Sequence, residues 1–140
     1  MYFILNHKTM NFIKTVAIAL VLFFANTISA QSVTEKWPAI KTFHGVMSQT
    51  FHPAEEGNLA PIKARSLEMV EKAEALLKSD IPAEFKTPAI MASAERIQIK
   101  SKALNKMILA GATDAEIVKK LTDLHETFHE IVGLCGSEKH

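Results

Sequence analysis

The chain has 140 residues, 48% hydrophobic and 22% charged, with sixteen lysines and arginines against fifteen aspartates and glutamates. That balance gives no basic field to attract nucleic acid or an anionic membrane surface, and it leaves enough apolar side chains for a packed core. Cys135 is the only cysteine, so no intrachain disulfide can form.

The first thirty residues read as a secretory signal. Met1 and Met10 both offer a start. After Met10, Lys14 supplies positive charge, Val16 to Phe24 an apolar run, and Ile28-Ser29-Ala30 a small-residue cleavage site before Gln31. The apolar run is short for a membrane span, which needs about 20 residues. The expected organisation is therefore a signal peptide over 1–30 and one domain over 31–140, periplasmic or secreted, with no membrane association after cleavage. Loss of Lys8 and Lys14 would leave fourteen basic residues against fifteen acidic ones.

From Val33 onward the apolar residues recur at three- and four-residue steps, the helical period. A first helix is expected over Val33–Phe51, with Trp37, Ile40, His44, Met47 and Phe51 on one stripe. Pro53 and Gly57 should interrupt it. A second helix should open with Asn58 as cap and Pro61 in its first turn, carry Ile62, Met69, Val70, Ala73, Leu76 and Leu77, and end near Ser79. The segment DIPAEFKTPA reads as a loop with one short turn.

Thr87-Pro88 is a cap followed by a first-position proline, opening a third helix with Ile90, Met91, Ala94, Ile97, Ile99, Leu104, Met107 and Ile108, which stops at Gly111. Thr113 and Glu116 form a capping box for a fourth helix, whose stripe is Ile117, Leu121, Leu124, Phe128, Val132 and Cys135 and whose end is Gly136. Four such helices with short connectors predict an all-α, antiparallel up-down-up-down four-helix bundle. Cys135 is expected to be a buried thiol, with an intermolecular disulfide or a soft metal ligand as its alternatives.

Two histidine pairs carry the chemistry: His44 with His52, and His125 with His129. Separations of eight and four residues bring each pair near one helical face. On a helical wheel His44 and His125 fall inside the apolar stripes and His129 at the edge of one. Core-facing imidazoles need partners for both ring nitrogens, and imidazole is the commonest protein metal ligand.

Counting a rise of 1.5 Å per residue places His44 roughly 12 Å, His125 about 18 Å and Met69 about 16 Å from the same end of the bundle. The expected central site is thus His44, His125 and His129 with Met47 or Met69. Three imidazoles suit Zn(II) or Cu(II), and thioethers shift the preference toward Cu(I). His52 belongs to a separate rim group with Glu55 and Glu56, where capping of the bundle and its helix ends is the favoured reading and a cation held with Asp114 or Glu116, or a second copy in a homodimer, the alternative. Histidines that merely satisfy the core or decorate the surface are the competing reading.

The string His125-Glu126-Thr127-Phe128-His129 matches the H-E-x-x-H pattern of zinc proteases, with Glu126 in the place of the general base. A domain of this size offers no strand edge or cleft for a substrate chain, and no nucleophile elbow or phosphate loop is present. An enzyme is not expected.

An exported four-helix bundle with His125 and Phe128 on its last helix resembles the cytochrome c-prime and cytochrome b562-like bundles. That resemblance covers the whole mature chain in architecture and a few residues in detail. It implies haem held by a methionine on the first helix and a histidine on the last, for which Met47 and His125 are the matching pair, with His44 an alternative to Met47. Covalent attachment requires two cysteines before that histidine, and Leu121 and Leu124 stand there, so covalent haem is excluded. The implied relationship is to a haem-less member that binds a zinc or copper ion in storage, delivery or sensing. Non-covalent haem b for electron transfer and a cofactor-free interaction bundle are the alternatives.

Overall fold

The structure, a computed structural model, describes residues 33–137. The expected signal peptide, its cleavage site and His140 lie outside them. Four long helices account for almost all of the described chain: α1 (Pro38–Glu55), α2 (Ala60–Lys78), α3 (Pro88–Leu109) and α4 (Asp114–Ser137). A helical turn over 33–36 precedes α1, and a 3₁₀ turn at Ala83–Phe85 joins α2 to α3. No strand occurs among the described residues. None of the described helices is long and apolar enough to cross a membrane.

Local signals set most of the boundaries. Thr87 accepts a hydrogen bond from the Ile90 amide (3.3 Å) and Pro88 opens α3, while Asn58 accepts one from the Ala60 amide (3.1 Å). The capping box of α4 is reciprocal: the Thr113 amide donates to Glu116 (2.9 Å), and the Glu116 amide donates to the Thr113 hydroxyl (3.3 Å). Gly57 and Gly111 adopt φ of 89° and 78° in the α1–α2 and α3–α4 turns, a region that glycine enters without a Cβ clash.

Helix α1 departs from expectation at both ends. It opens at Pro38 rather than Val33, because Trp37 is extended and its indole is fully buried, stacked on Phe85 (6.2 Å) and donating to the Ser79 hydroxyl (2.9 Å). At the other end it runs through Pro53 to Glu55. Pro53 lacks an amide to donate, but its carbonyl accepts from the amides of Glu56 (3.1 Å) and Asn58 (2.9 Å), which closes the last turn.

In sequence order α1 packs on α2, α2 on α3 and α3 on α4, and α4 meets α1, so the helices enclose a single core. Trp37, Phe43, Met47, Ile62, Met69, Leu76, Ile97, Leu104 and Leu121 are fully buried within it. Burial of each such side chain contributes about 1.5–3 kcal/mol. Small residues, Ser66 and Ala73 on α2 and Ser93, Ala94 and Ser101 on α3, are buried among them. By contrast α1 and α4 approach least closely of the four neighbouring pairs, and large aromatic rings fill the gap between them.

Ile99, expected on the α3 stripe, is 62% exposed, whereas Ser93 and Ser101 point inward. Ser93 receives a hydrogen bond from Arg96 (2.8 Å). The Ser101 hydroxyl is buried with no hydrogen-bond partner. An unsatisfied buried hydroxyl costs about 1–3 kcal/mol, and serine is a poorer helix former than alanine. Ser101→Ala is therefore expected to stabilise the fold by about 1 kcal/mol, read as a rise of roughly 4–8 °C in Tm by thermal unfolding.

Candidate functional site

The buried face of α1 is Ile40, Phe43, Val46, Met47, Thr50, Phe51 and Ala54. At 100° per residue its centre lies roughly 80° from His44. On α4 the buried residues Ile117, Leu121, Leu124, Thr127, Phe128, Ile131 and Cys135 likewise centre roughly 85° from His125. His44 and His125 therefore sit on the flanks of the apolar stripes, while His129 lies further round α4 and His52 nearly opposite the buried face of α1. His44, His52 and His129 are exposed and His125 is half-buried, which corrects the expectation of imidazoles inside the core. The expectation took His44 as the middle of the stripe and overlooked Val46, Thr50 and Thr127, whose burial turns each helix away from its histidines.

Those flanks face the seam between α1 and α4. The His44 ring stacks on Phe128 (centroids 5.3 Å apart, 5° between planes), and the His125 ring stacks on Phe51 (3.9 Å, 17°). Phe43 and Phe128 meet beneath them at 5.6 Å. A later residue of α1 thus meets an earlier residue of α4, and the two pairs interleave along one seam.

His125 and His129 are the residues brought closest to a common point. Their rings stand edge to face at 4.4 Å, and the two Nε2 atoms are 3.2 Å apart. With Zn–N bonds of about 2.0–2.1 Å, nitrogens at this separation subtend about 100–106° at one ion, close to the tetrahedral angle. Without an ion the same contact is a hydrogen bond, in which one ring donates and the other, neutral ring accepts. Either state requires imidazole rather than a pair of imidazolium ions.

His125 is held below the ordinary imidazole range. Desolvation against the Phe51 side is the main cause, followed by the neighbouring His129; His52 and His44 act in the same direction, and the Glu55 carboxylate opposes them. His52 and Glu55 pair with each other (3.3 Å) and both lie within electrostatic reach of His125. Glu56 is exposed as the C-cap of α1.

The methionines stand elsewhere. Met47 and Met69 are fully buried and belong to the packed core, whereas His44, His52 and His129 are exposed. Among the described residues no three His, Cys, Asp or Glu side chains converge as a metal-binding group, so the expected three-nitrogen site reduces to two imidazoles. Cys135 is buried.

Haem between Met47 and His125 does not fit this packing. The face of His125 is covered by Phe51, its Nε2 is turned to His129, and Met47 lies within the continuous core. The open groove lined by Pro38, Thr42, Glu71 and Lys78 contains no histidine or methionine. Phe51 and Phe128, the rings that position the imidazoles, were legible only as core residues. Their signal was adjacency: each stands beside a histidine, as Phe51-His52 and Phe128-His129.

No known protein family matches the chain, and no curated protein or solved structure matches it.

A depressed imidazole pKa links stability to pH with a definite sign. The unfolded chain takes up a proton at His125 first as pH falls, so its contribution to stability is held above about pH 6.5 and lost as pH drops through that value toward the native pKa. Urea unfolding should show stability declining from neutral to mildly acidic pH, and His125→Gln should flatten that decline. His129→Gln should move the His125 titration upward, read by NMR of the ring protons.

Proposed function

We propose that this protein is an exported, non-enzymatic metal-binding bundle of up-down-up-down helices that handles a labile divalent ion at the α1–α4 seam. The observation carrying this reading is the convergence of the His125 and His129 Nε2 atoms at 3.2 Å on an accessible surface. Imidazole pairs at i and i+4 chelate first-row divalent ions, and Zn(II) accepts the angle this pair offers. Cu(II) prefers tetragonal geometry, with neighbouring ligands nearer 90° apart, and is the second choice. The burial of Met47 and Met69 removes the thioethers that would favour Cu(I).

An accessible two-nitrogen site suits exchange better than permanent structural binding, which supports buffering, delivery or sensing of zinc. The low pKa of His125 keeps its ring neutral, hence able to ligate, at pH values where an ordinary imidazole is partly protonated. The apolar run after Lys14 supports export. The architectural likeness to haem-less cytochrome c-prime and b562-like bundles agrees with this role, although the ion takes a surface seam instead of the haem position.

A ligand that binds only the folded state raises its stability, by about 2.7 kcal/mol at a hundredfold excess over Kd. Zn(II) added to chelator-treated protein should therefore raise Tm at neutral pH, and the rise should vanish near pH 5 as the imidazoles protonate. His125→Ala and His129→Ala should each remove it. If Zn(II) and Cu(II) both leave the melting temperature of the parent protein unchanged, the reading is wrong.

A further inference from the structure

Resting on the zinc reading of this pair, we propose that one Zn(II) ion joins two copies of this chain, each contributing His125 and His129. Zinc favours a tetrahedral shell of four ligands, of which water can fill an open position and protein side chains close the site. One chain offers two nitrogens at the ion position and no third His, Cys, Asp or Glu among its described residues. A two-fold axis through the ion supplies the same two nitrogens again and completes a tetrahedral shell, with no other change of ligand type.

A second observation points to the same surface. Glycine is the weakest helix former after proline, and three glycines nevertheless stand within described helices: Gly45 in α1, and Gly133 and Gly136 in α4. A Cβ added to any of them would meet nothing within 4 Å, so no neighbour in the chain requires them to be glycine. All three lie on the two helices that carry the histidines. Gly133 is one turn beyond His129 and Gly136 two turns beyond it, on the same face of α4.

Bare backbone beside a half-complete metal site is what a second helix needs to come close enough to share the ion. Leucine at any of these positions would stand between the two copies. The partner is a second copy of this chain because the missing ligands equal in number the two it already presents.

Zinc titration of the chelator-treated chain, followed by light scattering and by measurement of bound metal, tests this directly. The expected result is saturation at one zinc per two chains with a doubling of mass, reversed by EDTA. His125→Ala and His129→Ala should remain monomeric with zinc. Gly133→Leu, checked for helix content by circular dichroism, should keep zinc binding while weakening dimerisation roughly tenfold or more. Gly136→Leu should do the same.

Saturation at one zinc per chain without a change of mass would overturn the shared site and leave the zinc reading intact. A dimer of unchanged stability after EDTA would overturn the bridge. Absence of zinc binding in the parent chain would overturn both.

Discussion

The arrangement of this molecule turns on the aromatic filling of the seam between α1 and α4. Elsewhere serines and alanines let helices approach, but here Phe43, Phe51 and Phe128 hold the two helices apart and fix their register. Phe51 against His125 and Phe128 against His44 are the two contacts that set it. A shift of α4 by one turn would exchange the rings beneath the imidazoles and remove the stacking on both. Because an aromatic face is flat and apolar, it supports an imidazole from one side and leaves the ring edge, with its nitrogens, turned toward water. The core thus determines where the imidazoles stand without taking them into itself.

That geometry accounts for the electrostatics as well. Phe51 covers one face of the His125 ring, and the three more exposed histidines around it lower its pKa further. The Glu55 carboxylate opposes that shift and is in turn paired with His52. The field at His125 thus comes from residues of both helices, His44, His52 and Glu55 on α1 and His129 on α4. The result favours the neutral ring at His125, the form of imidazole that binds metal.

Most of the fold was legible in the sequence because local chemistry specified it. Thr87-Pro88, the Thr113–Glu116 box and the glycines at 57 and 111 each impose a boundary through hydrogen bonds or backbone conformation within a few residues. Pro53 and Trp37 misled for the opposite reason. Trp37 takes its place from tertiary partners, Phe85 and Ser79, and Pro53 is accommodated because its carbonyl accepts from the Glu56 and Asn58 amides at the end of the helix. The histidines were legible as a group but not in their placement. A wheel drawn around His44 treats threonine and serine as polar markers, whereas Thr50, Thr127, Ser93 and Ser101 are buried. Thr50 and Thr127 bond to carbonyls one turn back (2.8 and 3.0 Å), which makes them compatible with the core and rotates the true apolar face away from the imidazoles.

The consequence reaches the choice of ion. An imidazole inside a helical bundle would be held by many neighbours, and a metal bound there would exchange only when the bundle opens. Imidazoles on the flank are fixed on one side by a phenylalanine and open on the other, so an ion can arrive and leave without unfolding. The same openness leaves coordination positions vacant within a single chain. Water fills them at little cost but adds no chelate effect, whereas a second protein surface adds two ligands in one binding event. On the zinc reading, the two nitrogens would hold the ion, and a second backbone approaching them would supply the ligands one chain lacks.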